Sequence, residues 1–254
     1  MLKNDNSRRT IHLLINLKII LFGAAILKFF RILMLIFIYI FSTNISLAGV
    51  VIGGTRVVYL SDQKEASISI NNPETDISYL IQSWVQDEHN ETKVPFIITP
   101  PLFKLTAGNE NILRIVKIGN NLPDDRESLF WLNIKSIPAT AKTEQNQLQI
   151  TVKSRFKLFF RPASLADNAN EAYKALKFKT DGHKLIAENP TPYYISFSEL
   201  YTGNGAKNYE IKSAGMIPPF DQVSWDVPIQ NINQVTWKTI NDFGGIMPEE
   251  KRGL

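Results

Sequence analysis

Residues 148 to 162, LQITVKSRFKLFFRP, combine an apolar edge with positive charge. Three aliphatic residues alternate with polar ones, which places the aliphatic side chains on one face of a strand. We call these three residues the apolar edge: Leu148, Ile150 and Val152. Arg155 and Lys157 have the opposite parity, unless a bulge intervenes, and Pro162 ends the strand. Such a strand can recognise another protein through main-chain pairing and charge.

Alternation alone leaves a second interpretation of the apolar edge open. A half-buried strand shows the same period-2 pattern when its aliphatic side chains pack in its own core. The alternation therefore does not decide whether the apolar edge fills this chain's core or contacts another protein.

Residue types that could support catalysis are present, but their spacing is not that of a catalytic site. His89 and His183 are far apart and lie in polar turns, and neither stands at a spacing typical of metal ligands. Asp124-Asp125 reads as a turn, and Gly203-Asn204-Gly205 lacks the third glycine of a dinucleotide loop. No G-x-S-x-G motif and no cysteine occurs. The sequence therefore predicts no enzyme, no metal site and no cofactor.

The N-terminal segment is expected to be a signal peptide covering residues 1–48. Its last uninterrupted apolar run, Ile32 to Phe41, is about ten residues long, too short for a bilayer-spanning helix of about 20 residues. Ser46-Leu47-Ala48 follows with small residues at the −3 and −1 positions, which predicts cleavage after Ala48. An uncleaved membrane anchor is the alternative, because a second apolar run, Ile19 to Leu27, precedes the first.

The net charge of the whole chain, +4, is carried by this leader. It contains one acid, Asp5, and six basic residues: Lys3, Arg8, Arg9, Lys18, Lys28 and Arg31. Subtracting them from the 28 basic and 24 acidic residues of the chain leaves 22 and 23, a net charge of −1. The basic balance therefore gives no support for nucleic-acid binding, which would need a clustered basic surface.

The remaining 206 residues (49–254) carry the pattern of an all-β protein. Short runs of β-branched and aromatic residues recur about every ten residues between Asn, Pro, Gly and Asp, which is typical of β-sandwiches. The first set of predicted strands is 55–60, 66–71, 78–86, 96–99, 111–117, 129–135 and 148–160. The second set is 176–179, 183–188, 194–201, 222–227 and 234–240. The polar stretch between the sets predicts two sandwich domains, 49–162 and 163–254.

Residues 122–139, LPDDRESLFWLNIKSIPA, form the most specific motif of the chain. The first four residues are a turn, and a strand follows that places Phe130, Leu132 and Ile134 on one side. The order DRES is not required by either element, so the string carries more information than its secondary structure.

This motif resembles the signature of the periplasmic pilus-assembly chaperones, the PapD-like family. Further segments resemble the same family, in order along the chain: GVVIGGTRVVY (49–59), TPP with Lys104-Leu105 (99–105), KLFFRP (157–162), NPTPYY (189–194) and NDFGG (241–245). Together they span residues 49 to 245. The polar connection at 139–147 is nine residues long, which resembles the subclass with a short loop before the last strand of the first domain.

The resemblance implies two immunoglobulin-like sandwiches in an L shape with a cleft between them. It implies a chaperone of the Gram-negative periplasm that caps pilus or fimbrial subunits by donor-strand complementation and delivers them to an outer-membrane usher. Subunits of such pili resemble an immunoglobulin domain without its last strand. The apolar edge is then expected to fill the subunit's groove, which would otherwise promote aggregation.

The resemblance also implies roles for charged residues. Arg56 and Lys157 match the family's cleft cations, which bind the subunit's C-terminal carboxylate and so fix the register. Without the resemblance they read as two solvated surface cations. A further set matches an interdomain ionic cluster that holds the cleft: Glu127, Arg161 and Asp242.

Two alternatives remain open at this point. A structural β-sandwich, either an adhesin or a fimbrial subunit, would share the strand pattern, although such a subunit would be a single domain. An exported hydrolase would need a catalytic set that the sequence does not show. The exposed edge of a free chaperone also motivates the hypothesis that two copies cap each other as a homodimer.

Overall fold

The computed structural model describes residues 28, 30–37, 49–119, 122–140, 148–205, 208–228 and 231–254. By its internal contacts the chain divides into Met1–Leu47 and Ala48–Leu254. In the first unit, residues 30–37 are helical. Among the described residues no helix has the length and apolar character needed to cross a bilayer. The predicted cleavage site after Ala48 lies outside the described residues.

The second unit contains two β-sandwiches. The strands of the first are β1 (Val51–Ile52), β2 (Arg56–Leu60), β3 (Ala66–Asn71), β4 (Tyr79–Gln86), β5 (Phe96–Thr99), β6 (Leu102–Leu105), β7 (Glu110–Lys117), β8 (Ser128–Pro138) and β9 (Val152–Arg161). They form two sheets, with the orders β1-β3-β7-β5 and β2-β9-β8-β4-β6. All pairs are antiparallel except β2 with β9, which is parallel.

Alternation of apolar and polar side chains places the first core between these two sheets. In β8, Phe130, Leu132 and Ile134 are buried in this core, as their spacing predicts. The Phe96 ring from the opposite sheet packs edge-on against Phe130 at 4.9 Å between ring centroids. The core therefore fixes which face of β8 and its neighbours points away from it.

The second sandwich follows two short 3-10 helices, Ala163–Leu165 and Ala169–Ala175. Its strands are β10 (Lys177–Asp181), β11 (Lys184–Glu188), β12 (Ile195–Gly203), β13 (Asn208–Glu210), β14 (Met216–Ile217), β15 (Gln222–Asp226), β16 (Gln234–Thr239) and β17 (Glu250–Gly253). One sheet has the order β10-β11-β15 and the other β13-β12-β16-β17, with β14 also paired to β12. Its core is separate and contains the fully buried Trp237.

The start of the last strand of the first sandwich differs from the prediction. The sequence predicts a strand from Leu148, but β9 begins at Val152, and residues 148–151 pair with none of the strands that the structure describes. The ladder to β8 ends at the pair Ser136–Val152. Two residues further along β8 lies Pro138, which has no N–H to donate to a ladder. Its carbonyl accepts a hydrogen bond from the side chain of Gln149 instead, at 2.7 Å.

Candidate binding site

The two faces of β9 have different neighbours. Its register to β8 runs without a bulge from Phe160–Ser128 to Val152–Ser136. Leu158 and Phe160 therefore point into the first core, whereas the alternate residues, including Lys157 and Phe159, lie on the opposite face. On that face Phe159 packs against Tyr194 of the second sandwich, with 5.6 Å between ring centroids.

The apolar edge has the same parity as the core residues of β9 but lies beyond the core. Leu148, Ile150 and Val152 are 88%, 69% and 56% exposed. Ile150 and Val152 line an open cavity of about 170 Å³ beside the first strand, together with Val50 and Ile52. The apolar edge therefore does not fill this chain's own core, which was the alternative that alternation left open.

The main chain of β9 is covered on only part of one side. β2 pairs with it from Arg56–Lys157 to Leu60–Arg161, and β8 pairs with its other side from Val152 to Phe160. No strand in the described part of the chain pairs with the β2 side of Val152–Phe156. An extended segment of another protein can therefore add to this open edge.

Two cations lie where the open edge ends. Arg56 and Lys157 are paired neighbours on adjacent strands. The Lys157 Nζ donates a hydrogen bond to Ser196 Oγ at 2.8 Å, and Arg56 Nη1 donates to the carbonyl oxygen of Ile240 at 3.0 Å. Arg56 Nε is buried and has no hydrogen-bond partner among the described residues. Neither cation forms an ion pair within the described ranges.

Burial lowers the pKa of both cations. Burial, and after it the charge of Arg56, lowers the pKa of Lys157 from 10.5 to about 8. Burial also lowers the pKa of Arg56, although the charges of Asp242 and Glu127 act in the opposite direction. Two partly desolvated cations side by side are stabilised by an anion placed between them. The pair therefore has the electrostatics of a carboxylate-binding site.

Arg161 joins three elements through a buried ionic cluster. Its Nε donates to Glu127 Oε1 at 2.7 Å, and its Nη1 and Nη2 donate to the two carboxylate oxygens of Asp242 at 2.7 and 2.8 Å. The other oxygen of Glu127 accepts from the backbone N–H of Tyr194 at 2.7 Å. The three residues that the resemblance grouped as an ionic cluster thus lie in direct contact across the two sandwiches.

The charges of this cluster depend on one another. Burial raises the pKa of Glu127, although Arg161 and the Tyr194 N–H oppose that rise. For Arg161, burial lowers the pKa, but hydrogen bonds and charge from Asp242 and Glu127 outweigh burial and raise it. Arg161 therefore stays protonated, and removing it would leave a buried carboxylate without its counter-ion.

Several partners at the site carried no usable signal in the sequence. Ser196 and the Ile240 carbonyl hold the two cations, yet a serine and a main-chain oxygen of a distant domain have no spacing that links them to Arg56 or Lys157. Phe159 could have been placed by its parity with Lys157. Within the described residues no cluster of three or more His, Asp or Glu could hold a metal ion.

Comparisons with known proteins agree with this geometry. Residues 49–166 match the family described as "Pili and flagellar-assembly chaperone, PapD N-terminal domain". Residues 171–251 match "Pili assembly chaperone PapD, C-terminal domain". Chaperone protein LpfB of Salmonella typhimurium is 41% identical over 201 residues, which is 77% of this chain and 85% of LpfB. Chaperone protein FimC of Escherichia coli K12 is 40% identical over 205 residues, covering 80% and 83%.

Solved structures give the same result. A chain of the Salmonella enterica SafA pilin–SafB chaperone complex matches with a TM-score of 0.73 and 32% identity, covering 83% of this chain and 99% of that one. The periplasmic chaperone SfaE matches with a TM-score of 0.65 and 37% identity, covering 79% and 97%. These matches favour a chaperone over the alternative of a structural subunit. The chain belongs to the PapD family of pilus-assembly chaperones.

Proposed function

We propose that residues 49–254 form a periplasmic chaperone that caps pilus subunits and delivers them to an outer-membrane usher. The leader would be cleaved after Ala48, and the two domains would be 49–162 and 163–254. Family membership supports this function. The likeness to the SafA pilin–SafB chaperone complex and to SfaE, which is a periplasmic chaperone, supports it as well.

The observation that carries the proposal is an exposed apolar edge beside an open main-chain edge. An incomplete subunit offers a groove for the side chains of Leu148, Ile150 and Val152 and a strand for the ladder. Burial of each side chain contributes about 1.5–3 kcal/mol before the cost of ordering the segment. Until a subunit binds, the same edge can pair with a second copy of the chaperone, which is the self-capping homodimer.

The position of β2 determines the direction of the bound strand. β2 covers β9 from Lys157 onward, so a subunit strand has room only along residues 148–156. If its C-terminal carboxylate binds Arg56 and Lys157, the strand must run from the Leu148 end towards Lys157. It would therefore lie parallel to β9 and end where β2 begins. A fixed end prevents a slip of two residues that would keep the same side chains inward.

The ionic cluster lies next to the residues that contact the two cations. Arg161 lies at the end of β9. Its partner Asp242 is two residues after Ile240, whose carbonyl accepts a hydrogen bond from Arg56. We assign Glu127, Arg161 and Asp242 the role of holding the two sandwiches so that Ser196 and Ile240 reach the cations.

Recovery of subunits from periplasmic extracts tests the proposal. Arg56→Ala or Lys157→Ala is expected to abolish recovery of co-expressed pilin, because the carboxylate loses half of its binding site. Lys179→Ala, which removes an exposed cation of the second sandwich, is the matched control and should recover pilin at the wild-type level.

Circular dichroism of the purified variants should show that each still folds. Wild-type recovery of pilin by both Arg56→Ala and Lys157→Ala would refute the anchoring role.

A further inference from the structure

The face of β8 and β9 that points away from the first core carries more positive charge than carboxylate anchoring requires. Besides Lys157, three cations lie on it, and we call them the basic strip: Lys135, Lys153 and Arg155. Lys153 and Arg155 are exposed. None of the three forms an ion pair with any residue that the structure describes.

The register places two of these charges directly opposite each other. Lys153 of β9 pairs with Lys135 of β8. Like charges at directly opposed positions destabilise a sheet, because their side chains project to the same face about 5 Å apart. The pair therefore does not stabilise the free chain, and an anion bound between the two ammonium groups would reduce their repulsion.

Two indole rings lie against the exposed cations, on the β8 side of β9. The Nζ of Lys153 lies 5.1 Å from the ring centroid of Trp84, and the guanidinium carbon of Arg155 lies 4.0 Å from that of Trp131. Asn133, which pairs with Trp84 and lies two residues after Trp131 on β8, is fully buried. Cation–π contacts restrict the side chains without neutralising them. Each cation must therefore turn from its ring toward the open edge to bind an anion there, which changes the surroundings of both tryptophans.

We propose that the basic strip binds carboxylate side chains on the last strand of the captured subunit. This inference rests on the proposed function, since it needs a strand on the open edge of β9. Alternate residues of such a strand lie on the same face as Lys153 and Arg155, at about 5 Å. Arg155 and Lys153 precede Lys157 by two and four positions. The preferred subunit therefore has Asp or Glu about two and four residues before its C-terminus.

Synthetic peptides test this inference on the full chain. Each peptide is about ten residues long, alternates apolar and polar residues, ends in a free carboxylate and carries Asp, Asn or Lys at the two predicted positions. Binding is followed at low salt by the intrinsic tryptophan fluorescence of the chain, to which Trp84 and Trp131 contribute. The Asp peptide is expected to bind about two- to fivefold more tightly per position than the Asn peptide, and the Lys peptide most weakly.

Two double variants separate the strip from general charge. In Lys153→Gln with Arg155→Gln the order Asp, Asn, Lys should disappear. In Lys179→Gln with Lys184→Gln, which removes two exposed cations of the second sandwich, the order should persist. Raising the salt to about 0.5 M should shrink the Asp preference in the wild type.

A C-terminally amidated peptide distinguishes the two proposals. If amidation weakens binding but Asp, Asn and Lys peptides bind equally, the carboxylate anchor stands and the role of the basic strip is overturned. An Asp preference that survives in Lys153→Gln with Arg155→Gln also overturns it. If no peptide binds the wild-type chain, both the strand pairing and the basic strip are refuted.

Discussion

Lys157 lies at the point of β9 where the open edge ends and β2 begins. Burial and the charge of Arg56 lower its pKa to about 8, so its charge changes at mildly alkaline pH. A folded-state pKa below the ordinary value of 10.5 means that the folded chain releases this proton more readily than the unfolded chain. The group therefore contributes stability above pH 10.5, and this contribution is lost as the pH falls through 8.

Binding of a carboxylate has the opposite dependence on pH. The anion needs the protonated amine, so the affinity of a free-carboxylate peptide should fall above pH 8, by up to about tenfold per pH unit. Lys157→Arg keeps the charge at every accessible pH and should make the affinity nearly constant from about pH 7 to about 9.5. Titration calorimetry across this range measures the effect.

The amidated peptide is the control for this titration. It offers no carboxylate to Lys157, so its weaker affinity should not change between about pH 7 and about 9.5. An affinity of the free-carboxylate peptide that stays constant in the wild type would show that Lys157 does not contact the anion.

At the scale of the element, β9 has two halves with different surroundings. Its C-terminal half is buried and paired on both sides, whereas its N-terminal half is paired only to β8. The apolar edge continues the core parity beyond the end of the sandwich. Along one face, the side chains from Leu148 to Phe160 therefore change from exposed at the N-terminal end to buried in the core at the C-terminal end.

Shortening a side chain of the apolar edge tests this view of β9. Ile150→Ala removes three carbons from a buried contact, so subunit binding should weaken by about 2 kcal/mol, or about thirtyfold. Because Ile150 is 69% exposed in the free chain, the unfolding midpoint should change little. Competition with a labelled wild-type chaperone measures the loss of affinity.

Ile97→Ala is the matched control, because Ile97 is an exposed isoleucine of another sheet of the same sandwich. It should bind the subunit like the wild type. If Ile150→Ala lowers stability and leaves binding unchanged, the apolar edge is a structural element of the free chain.

Much of this arrangement could be predicted from the sequence, because alternation fixes faces. The strands at 66–71 and 96–99 have the predicted bounds, and the face of Phe130, Leu132 and Ile134 was also correct. Alternation did not locate the start of β9, which depends on where its partner β8 reaches Pro138. Five short strands of two to four residues were missed: β1, β6, β13, β14 and β17.

The residues of the site could be named only because the sequence resembles the PapD-like family. The eight residues named from the sequence come from distant positions, and no local pattern joins Arg56 to Lys157 or Arg161 to Asp242. Their contacts are set by the parallel pairing of β2 with β9 and by the approach of the second sandwich. Such long-range pairings leave no period in the sequence.

For the whole molecule, the cleft depends on how the two sandwiches are joined. Arg161 of the first contacts Asp242 of the second, and Glu127 accepts the N–H of Tyr194 while pairing with Arg161. The side chains of Glu127 and Arg161 are only 2% and 5% exposed, so water solvates neither charge. The cluster is therefore costly to break, whatever its net contribution to stability.

Arg161→Met should lower the free energy of unfolding by about 3–5 kcal/mol, because it leaves the Glu127 carboxylate buried without its counter-ion. Adding Glu127→Gln removes that charge and should restore about 1–2 kcal/mol. Arg126→Met, which breaks an exposed pair with Asp125, should cost no more than about 1 kcal/mol. Urea unfolding of the full chain, followed by tryptophan fluorescence, compares the three.

The double variant Glu127→Gln with Arg161→Met separates stability from cleft geometry. Without the cluster, Asp242 no longer holds the second sandwich where Ser196 and Ile240 reach Lys157 and Arg56. Binding of the free-carboxylate peptide should therefore stay weaker than wild type even though the fold has recovered stability. If the double variant binds like the wild type, the two cations are positioned by the β2–β9 pairing alone, and the cluster serves only the fold.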